Sequence, residues 1–322
     1  MSGTAGRSCP VSYGYGPAVF RRAPDFAADT LYVAGGLYGN PEALDEVERI
    51  AAREPGAALA FNGDFHWFDT DPEVFADINR RVLRHIALRG NVETELAADD
   101  AGFGCGCGYP DDVPDADVER SNQILRQLRE TALTQPLQRA MLGALPMHAL
   151  ALVGAARVGI VHGDAQALAG WGFAHDRLDS ADARAGLLDQ FGRASVDLFA
   201  SSHTCLPALR SFDGAGRLHA VINNGAAGMP NFHGRLHGVI SRIATTPPPA
   251  WLPVLHQLAW PLGEGMLHVA AVALEYDHGR WQERFLADWP PGSAAHASYG
   301  ERIAQGPSFM LHQAYRQQAR TV

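Results

Sequence analysis

Phe61-Asn62-Gly63-Asp64-Phe65-His66-Trp67-Phe68-Asp69 is the stretch on which the reading of this chain turns. The apolar run 57–60 precedes it, so a short buried strand delivers Asn-Gly-Asp at its carboxyl end, where open α/β sheets place their ligands. Asp64 is therefore the first metal candidate. Phe65, Trp67 and Phe68 would wall the carboxylate and His66 with apolar surface and lower the local dielectric. A Gly-Asp after a strand is also an ordinary turn with a capping Asp, so the weight falls on what other strand ends offer.

Upstream, residues 31–34 form a strand ending in the glycine-rich Gly35-Gly36-Leu37-Tyr38-Gly39-Asn40, and Pro41 opens a helix with Leu44, Val47 and Ile50 on one face. The G-x-G-x-x-G spacing of a dinucleotide loop is absent. Downstream, Pro72 starts a helix with Val74, Phe75, Ile78 and Val82 at helical spacing, and a strand at 85–88 ends in Arg89-Gly90-Asn91-Val92-Glu93. Helices are expected over 118–133 and 135–142. A hairpin, 147–153 and 157–161 around Gly154, then delivers His162-Gly163-Asp164. A helix over 181–191 leads to a strand at 196–200, which delivers Ser201-Ser202-His203-Thr204-Cys205-Leu206-Pro207. A hairpin turning on Asp213 and Gly214 returns through 218–222 to Asn223-Asn224-Gly225. The Pro-rich segment 245–265, with Trp251 and Trp260, reads as a long structured loop and a candidate lid. A strand at 269–276 and a helix at 281–289 with a tail complete the chain.

Four separate apolar strands thus end in Asp64, Asn91, His162 and His203. Side by side they bring a carboxylate, an amide oxygen and two imidazoles to one edge, a set that suits Mn, Fe or Zn and leaves coordination open for a water or substrate oxygen. Singly, each has a plainer reading, as an Asx turn or a satisfied histidine. His66 lies two residues from Asp64, and its ordinary pKa near ~6.5 suits a general acid or base; it serves equally as a substitute ligand. The loop Gly102-Phe103-Gly104-Cys105-Gly106-Cys107-Gly108 either wraps an ion through its thiols or is a connector with buried cysteines.

Composition narrows the classes. With 322 residues, 47% hydrophobic and 19% charged, the chain buries a large core. We expect one domain: an irregular lead-in at 1–29, a core at 30–245 and a C-terminal extension packed on it at 246–322. All 26 basic residues are Arg, which excludes a P-loop lysine and Schiff-base chemistry. A net charge of -9 without a basic stripe argues against a nucleic-acid surface. No apolar run approaches the ~18 residues of a membrane span, and residues 1–10 lack signal-peptide features, so a cytoplasmic protein with no membrane partner is expected. Four cysteines are too few for a secreted disulfide scaffold.

Taken together, the ordered segments resemble the calcineurin-like metallophosphoesterases. The family runs Asp-x-His-Gly-Asn, Gly-Asp, Gly-Asn-x-Glu/Asp, a strand-end His, and Gly-His-Thr-His-x-Pro followed by Asn-x-Gly. Here these places hold Gly36-Leu37-Tyr38-Gly39-Asn40, Gly63-Asp64, Gly90-Asn91-Val92-Glu93, His162-Gly163-Asp164, Ser202-His203-Thr204-Cys205-Leu206-Pro207 and Asn223-Asn224-Gly225. The resemblance implies an α/β, four-layer αββα sandwich of the metallo-dependent phosphatase type, a divalent transition metal, and a phosphomonoester or phosphodiester substrate, small or phosphorylated. One metal position, Asp64, Asn91, His162 and His203, is complete. The other would need the residues now replaced by Gly36, Tyr38 and Cys205. Val92 stands where many members carry a proton-donating His. Asn40 and Asn224 take the places of substrate-contacting residues. A site made by Cys205, Cys105 or Cys107, and Asp64 or His66 would refill the second position; the simpler account is a small buried thiol filling the void of an abandoned site. The alternative is a catalytically degenerate protein that binds a metal or phosphorylated ligand.

Overall fold

The structure, a computed structural model, describes residues 5–7, 9–100, 102–214 and 216–316. Parts of the expected lead-in (1–4 and 8) and of the extension (317–322) lie outside the described residues. Among the described residues, twelve strands form two six-stranded sheets. The first runs β1 (Phe26–Ala28), β5 (His148–Val153), β6 (Ala156–Val161), β7 (Leu198–Ser201), β9 (Arg217–Asn223), β8 (Ala208–Gly214). The second runs β11 (Val254–Leu262), β12 (Gly265–Leu274), β10 (Gly238–Ala244), β2 (Thr30–Ala34), β3 (Ala58–Asn62), β4 (Ile86–Leu88).

Period-two alternation explains the layering. Leu31 and Val33 of β2 face one way and join Ala60, Ala151, Val158, Ile160 and Leu198 in an apolar layer between the sheets. Tyr32 and Ala34 face the other way, against helices α1 (Pro41–Ala52) and α2 (Pro72–Val82), which contribute Leu44, Val47, Ile50, Phe75, Ile78 and Val82. On the far side of the first sheet, Phe199 and Val221 meet Leu187 and Phe191 of the helix Ala181–Ala194. The result is the αββα sandwich. Because strands β2, β3 and β4 are mutually parallel, as are β6, β7 and β9, their carboxyl ends collect at one rim. Asn62 Nδ2 stitches the sheets there, donating to Val161 O at 2.8 Å, while within the first sheet the Ser202 and His203 amides donate to His162 O at 3.1 and 3.0 Å.

Three local expectations change. The supposed lid at 245–265 is largely the edge strand β11, a hairpin partner of β12; its Pro261 lacks only an N–H that an edge position leaves without a ladder partner. The irregular lead-in contains β1, parallel to β5, and two short 3-10 turns, Val11–Tyr13 and Pro17–Phe20. The tail after 289 contains the helices Ala294–Gln305 and Leu311–Ala314. None of the described helices is long and apolar enough to cross a membrane.

Candidate metal centre

The four strand ends meet. His162 Nε2 lies 3.0 Å from Asn91 Oδ1, 3.0 Å from His203 Nδ1 and 3.3 Å from Asp64 Oδ2. All four residues are buried. The outward-facing atoms of each side chain fix what faces inward. His162 Nδ1 sits 2.9 Å from the Asn62 carbonyl, which can only accept, so Nδ1 carries the proton and Nε2 presents a lone pair. His203 Nε2 likewise donates to Cys107 O at 2.9 Å, leaving its Nδ1 bare. Asn91 Nδ2 donates to Cys105 O at 2.9 Å, which turns Oδ1 inward. Asp64 Oδ1 accepts from the Val92 amide at 3.2 Å, and Oδ2 is free to face the cluster.

Four acceptors therefore converge without a donor among them, a costly arrangement in a buried site unless a cation sits at the centre. Their 3.0 to 3.3 Å separations from His162 Nε2 suit neighbouring ligands of an ion held at about 2.1 Å. The ligand atoms of Asp64, His162 and His203 all lie within 4.8 Å of one another. The field demands positive charge: burial pushes the His162 pKa down, yet Asp64 and Glu93 outweigh it and the net shift is upward. For His203, burial and then the neighbouring His162 push the pKa down to about 3, so it stays neutral and able to ligate. The donor set fits Mn, Fe or Zn.

Glu93 organises the site from behind. It lies in the first turn of helix α3 (Asn91–Ala97) and accepts from the amides of Asp64 (2.8 Å), Phe65 (3.0 Å), His66 (3.3 Å) and Gly90 (2.8 Å). Sequence reading quoted Glu93 but gave it no task. A carboxylate three residues after the glycine that opens a helix is the signal of a side chain reaching back to cap, and would have found it.

Side chains fill the place where the resemblance implies a second metal position. The Tyr38 hydroxyl and Cys205 Sγ are 2.8 Å apart and bonded to each other. A Cβ on Gly36 would stand 2.9 Å from Tyr38 Cε2, so the ring occupies the space an acidic side chain there would need. Gly36 has φ +64°, which adds strain to any replacement. Burial, the largest influence, raises the Cys205 pKa and keeps it a thiol.

Other expectations are corrected. Cys105 and Cys107 do fold over the rim but are joined to each other as a disulfide, so in this form neither is a thiolate ligand, and among the described residues no cysteine joins the cluster. His66 is fully buried away from the cavity, its Nδ1 2.6 Å from Asp69 Oδ2 and its ring stacked on Phe75 at 3.9 Å. With the 64–66 amides turned toward Glu93, the His66 side chain enters the α2 core and is not among the residues lining the cavity over Asp64 and His203. Asn40 caps α1, its Oδ1 accepting from Ala43 N at 2.9 Å and its Nδ2 donating to Gly228 O at 2.9 Å. Asn224 Nδ2 donates to Gly35 O and Val239 O, tying loop to strand. Neither residue lines the cavity over Asp64 and His203.

What covers the cluster of Asp64, Asn91, His162 and His203 is aromatic. Trp67, Tyr109, Trp171, Tyr299 and Tyr38, with Val92, border a cavity of about 30 Å³ over Asp64 and His203, room for a water or two. Trp171 is held there by its Nε1 donating to Cys107 O at 3.1 Å. Trp171, Tyr109 and Tyr299 come from segments with no recognisable spacing, and local sequence does not announce them.

No protein-family description matches the chain, and no curated protein matches it. Solved structures do. The metallophosphoesterase from Sphaerobacter thermophilus superposes with a TM-score of 0.55 at 17% identity, covering 87% of this chain and 100% of that one. A hypothetical protein from Pyrococcus horikoshii OT3 gives a TM-score of 0.57 at 14% identity, covering 87% and 99%. With its two packed six-stranded sheets and its buried cluster at their common rim, the chain has the metallophosphoesterase fold.

Proposed function

We propose that this protein is a metal-dependent phosphoesterase that works with a single divalent ion held by Asp64, Asn91, His162 and His203. One observation carries the reading: four buried acceptors converge on one point with their outward atoms already committed to other partners. A bound ion supplies Lewis acidity toward a phosphoryl oxygen and lowers the pKa of a water. The chain contributes the rest. Asp64 brings the one anionic ligand, the two neutral imidazoles and the Asn91 oxygen complete the set, and the aromatic wall excludes bulk water and strengthens the field. Mn, Fe and Zn all match the ligands, and the substrate class extends to monoesters and diesters.

The test is ion content of protein purified without chelator, beside hydrolysis of p-nitrophenyl phosphate and bis-p-nitrophenyl phosphate. About one ion per chain is expected, with turnover that falls to background in His162→Ala. An ion-loaded protein that hydrolyses neither ester would favour the second reading, a binding protein without turnover. That reading draws on the Tyr38 and Cys205 pair that plugs the second position and on Val92 where a proton donor would stand.

A second expectation separates the plug from a vacant site. Gly36→Asp alone should recruit no second ion and should destabilise by about 2 kcal/mol or more, from positive φ and the clash with Tyr38. Two ions per chain in that single variant would mean that Tyr38 yields its place easily.

A further inference from the structure

The Cys105 and Cys107 disulfide spans one residue, and the carbonyls of its two cysteines each hold a different metal-site side chain. Cys105 O accepts from Asn91 Nδ2 and Cys107 O from His203 Nε2, both at 2.9 Å. These bonds turn Asn91 Oδ1 inward and set the His203 tautomer, so the loop decides what two of the four ligands present to the ion. Cys107 O also takes the Trp171 Nε1 bond that keeps the aromatic wall in place. From behind, Asn122 Oδ1 accepts from Cys105 N at 2.9 Å. Cys105 is fully buried, whereas Cys107 is 6% exposed and borders the cavity, so Cys107 is the more accessible of the two.

We propose that Cys105 and Cys107 form a redox-switched positioning element of the metal centre. In the disulfide form the short ring fixes both carbonyls on their ligands. In the dithiol form the glycine-rich segment 102–108 loses that constraint, Asn91 and His203 lose their orientation, and the ion is held less tightly. The inference rests on the metal-centre reading given above.

The reductant is a dithiol. Its thiolate attacks Cys107 Sγ, the protein S–S bond breaks, and the electron pair leaves on Cys105 Sγ, which takes a proton. The second thiol of the reagent then displaces Cys107 from the mixed disulfide; Cys107 takes a proton and the reagent closes as its own disulfide. Two electrons pass from reagent to protein. Reoxidation by a disulfide reagent reverses both steps.

The experiment uses the full chain in two states: as oxidised protein, and after dithiothreitol followed by desalting under argon. Thiol titration in denaturant should give two thiols for the oxidised form, Cys9 and Cys205, and four for the reduced. Mn2+ titration by calorimetry should show roughly 10–100-fold weaker binding after reduction, the range expected when an outer partner of a ligand is lost. Tryptophan emission should change with reduction in the wild type and not in Trp171→Phe, and both signals should return on reoxidation. A Cys105→Ser/Cys107→Ser variant should bind Mn2+ weakly in both states and ignore dithiothreitol. Equal Mn2+ affinity in the two wild-type states, or four thiols in the oxidised protein, overturns the inference while leaving the metal centre standing. Tighter Zn2+ binding after reduction overturns it too, since Cys107 would then be a ligand rather than a positioning residue. No Mn2+ binding in either state would defeat both readings.

Discussion

Asp64→Asn is expected to weaken divalent-ion binding by at least about a hundredfold and to take any esterase activity down with it, while the ion-free protein melts close to the wild type. The lower bound follows from scale: loss of even an outer hydrogen-bond partner costs roughly 10–100-fold in metal affinity, and this change removes the one charged ligand. The fold should survive for local reasons. Asp64 sits at φ +53°, a conformation that asparagine tolerates nearly as well as aspartate. The side-chain oxygen that accepts from Val92 N at 3.2 Å is kept, and so is the volume. Calorimetric titration with Mn2+, beside differential scanning calorimetry in chelator, separates the two effects. Unchanged ion affinity would remove Asp64 from the site, whereas a collapsed ion-free melting temperature would make its role one of packing.

The meeting of the four strand ends is legible because the signal is local: an apolar run that stops at, or within three residues of, a side chain able to ligate. That pattern recurs at Asp64, Asn91 and His162, with His203 at a further strand end, and parallel pairing then brings the four together. What the residues do after the turn was not legible. Whether His66 enters the cavity or the core depends on Glu93, 27 residues on, drawing three successive amides toward itself. Asn40 is a different kind of miss. An asparagine directly before a proline-initiated helix is a local N-cap signal, and the family likeness overrode it. In β10, Arg242 breaks the apolar pattern, but it is fully buried because Glu54 pairs with it from outside the strand. Trp171, Tyr109 and Tyr299 of the aromatic cover come from distant segments, and nothing in their own neighbourhoods marks them.

Glu93→Ala is expected to leave no stably folded protein, and Glu93→Gln to cost about 2–6 kcal/mol, because this buried side chain is the sole hydrogen-bond partner shown for several amides of the turns that carry Asp64 and Gly90. Oε2 accepts from Asp64 N and Gly90 N, both at 2.8 Å, while Oε1 accepts from Phe65 N at 3.0 Å and His66 N at 3.3 Å. Alanine strands four donors in the interior at about 1–3 kcal/mol each, a sum comparable to the 5–15 kcal/mol that holds a typical domain together. Glutamine keeps one acceptor oxygen and turns an NH2 group toward the other two donors, so about two of those penalties remain. Burial, and next the Asp64 charge, push the Glu93 pKa upward, with the amide bonds from Gly90 and Asp64 among the influences that oppose the rise. The strength of this anchor therefore lies in the number of donors rather than in a comfortable place for the charge. Urea unfolding of Glu93→Gln in chelator, with Mn2+ affinity measured on the folded fraction, provides the check. A loss under about 0.5 kcal/mol would mean that water or a rearranged turn satisfies these amides, and that the position of Asp64 is set by β3 and Gly63 without help from behind.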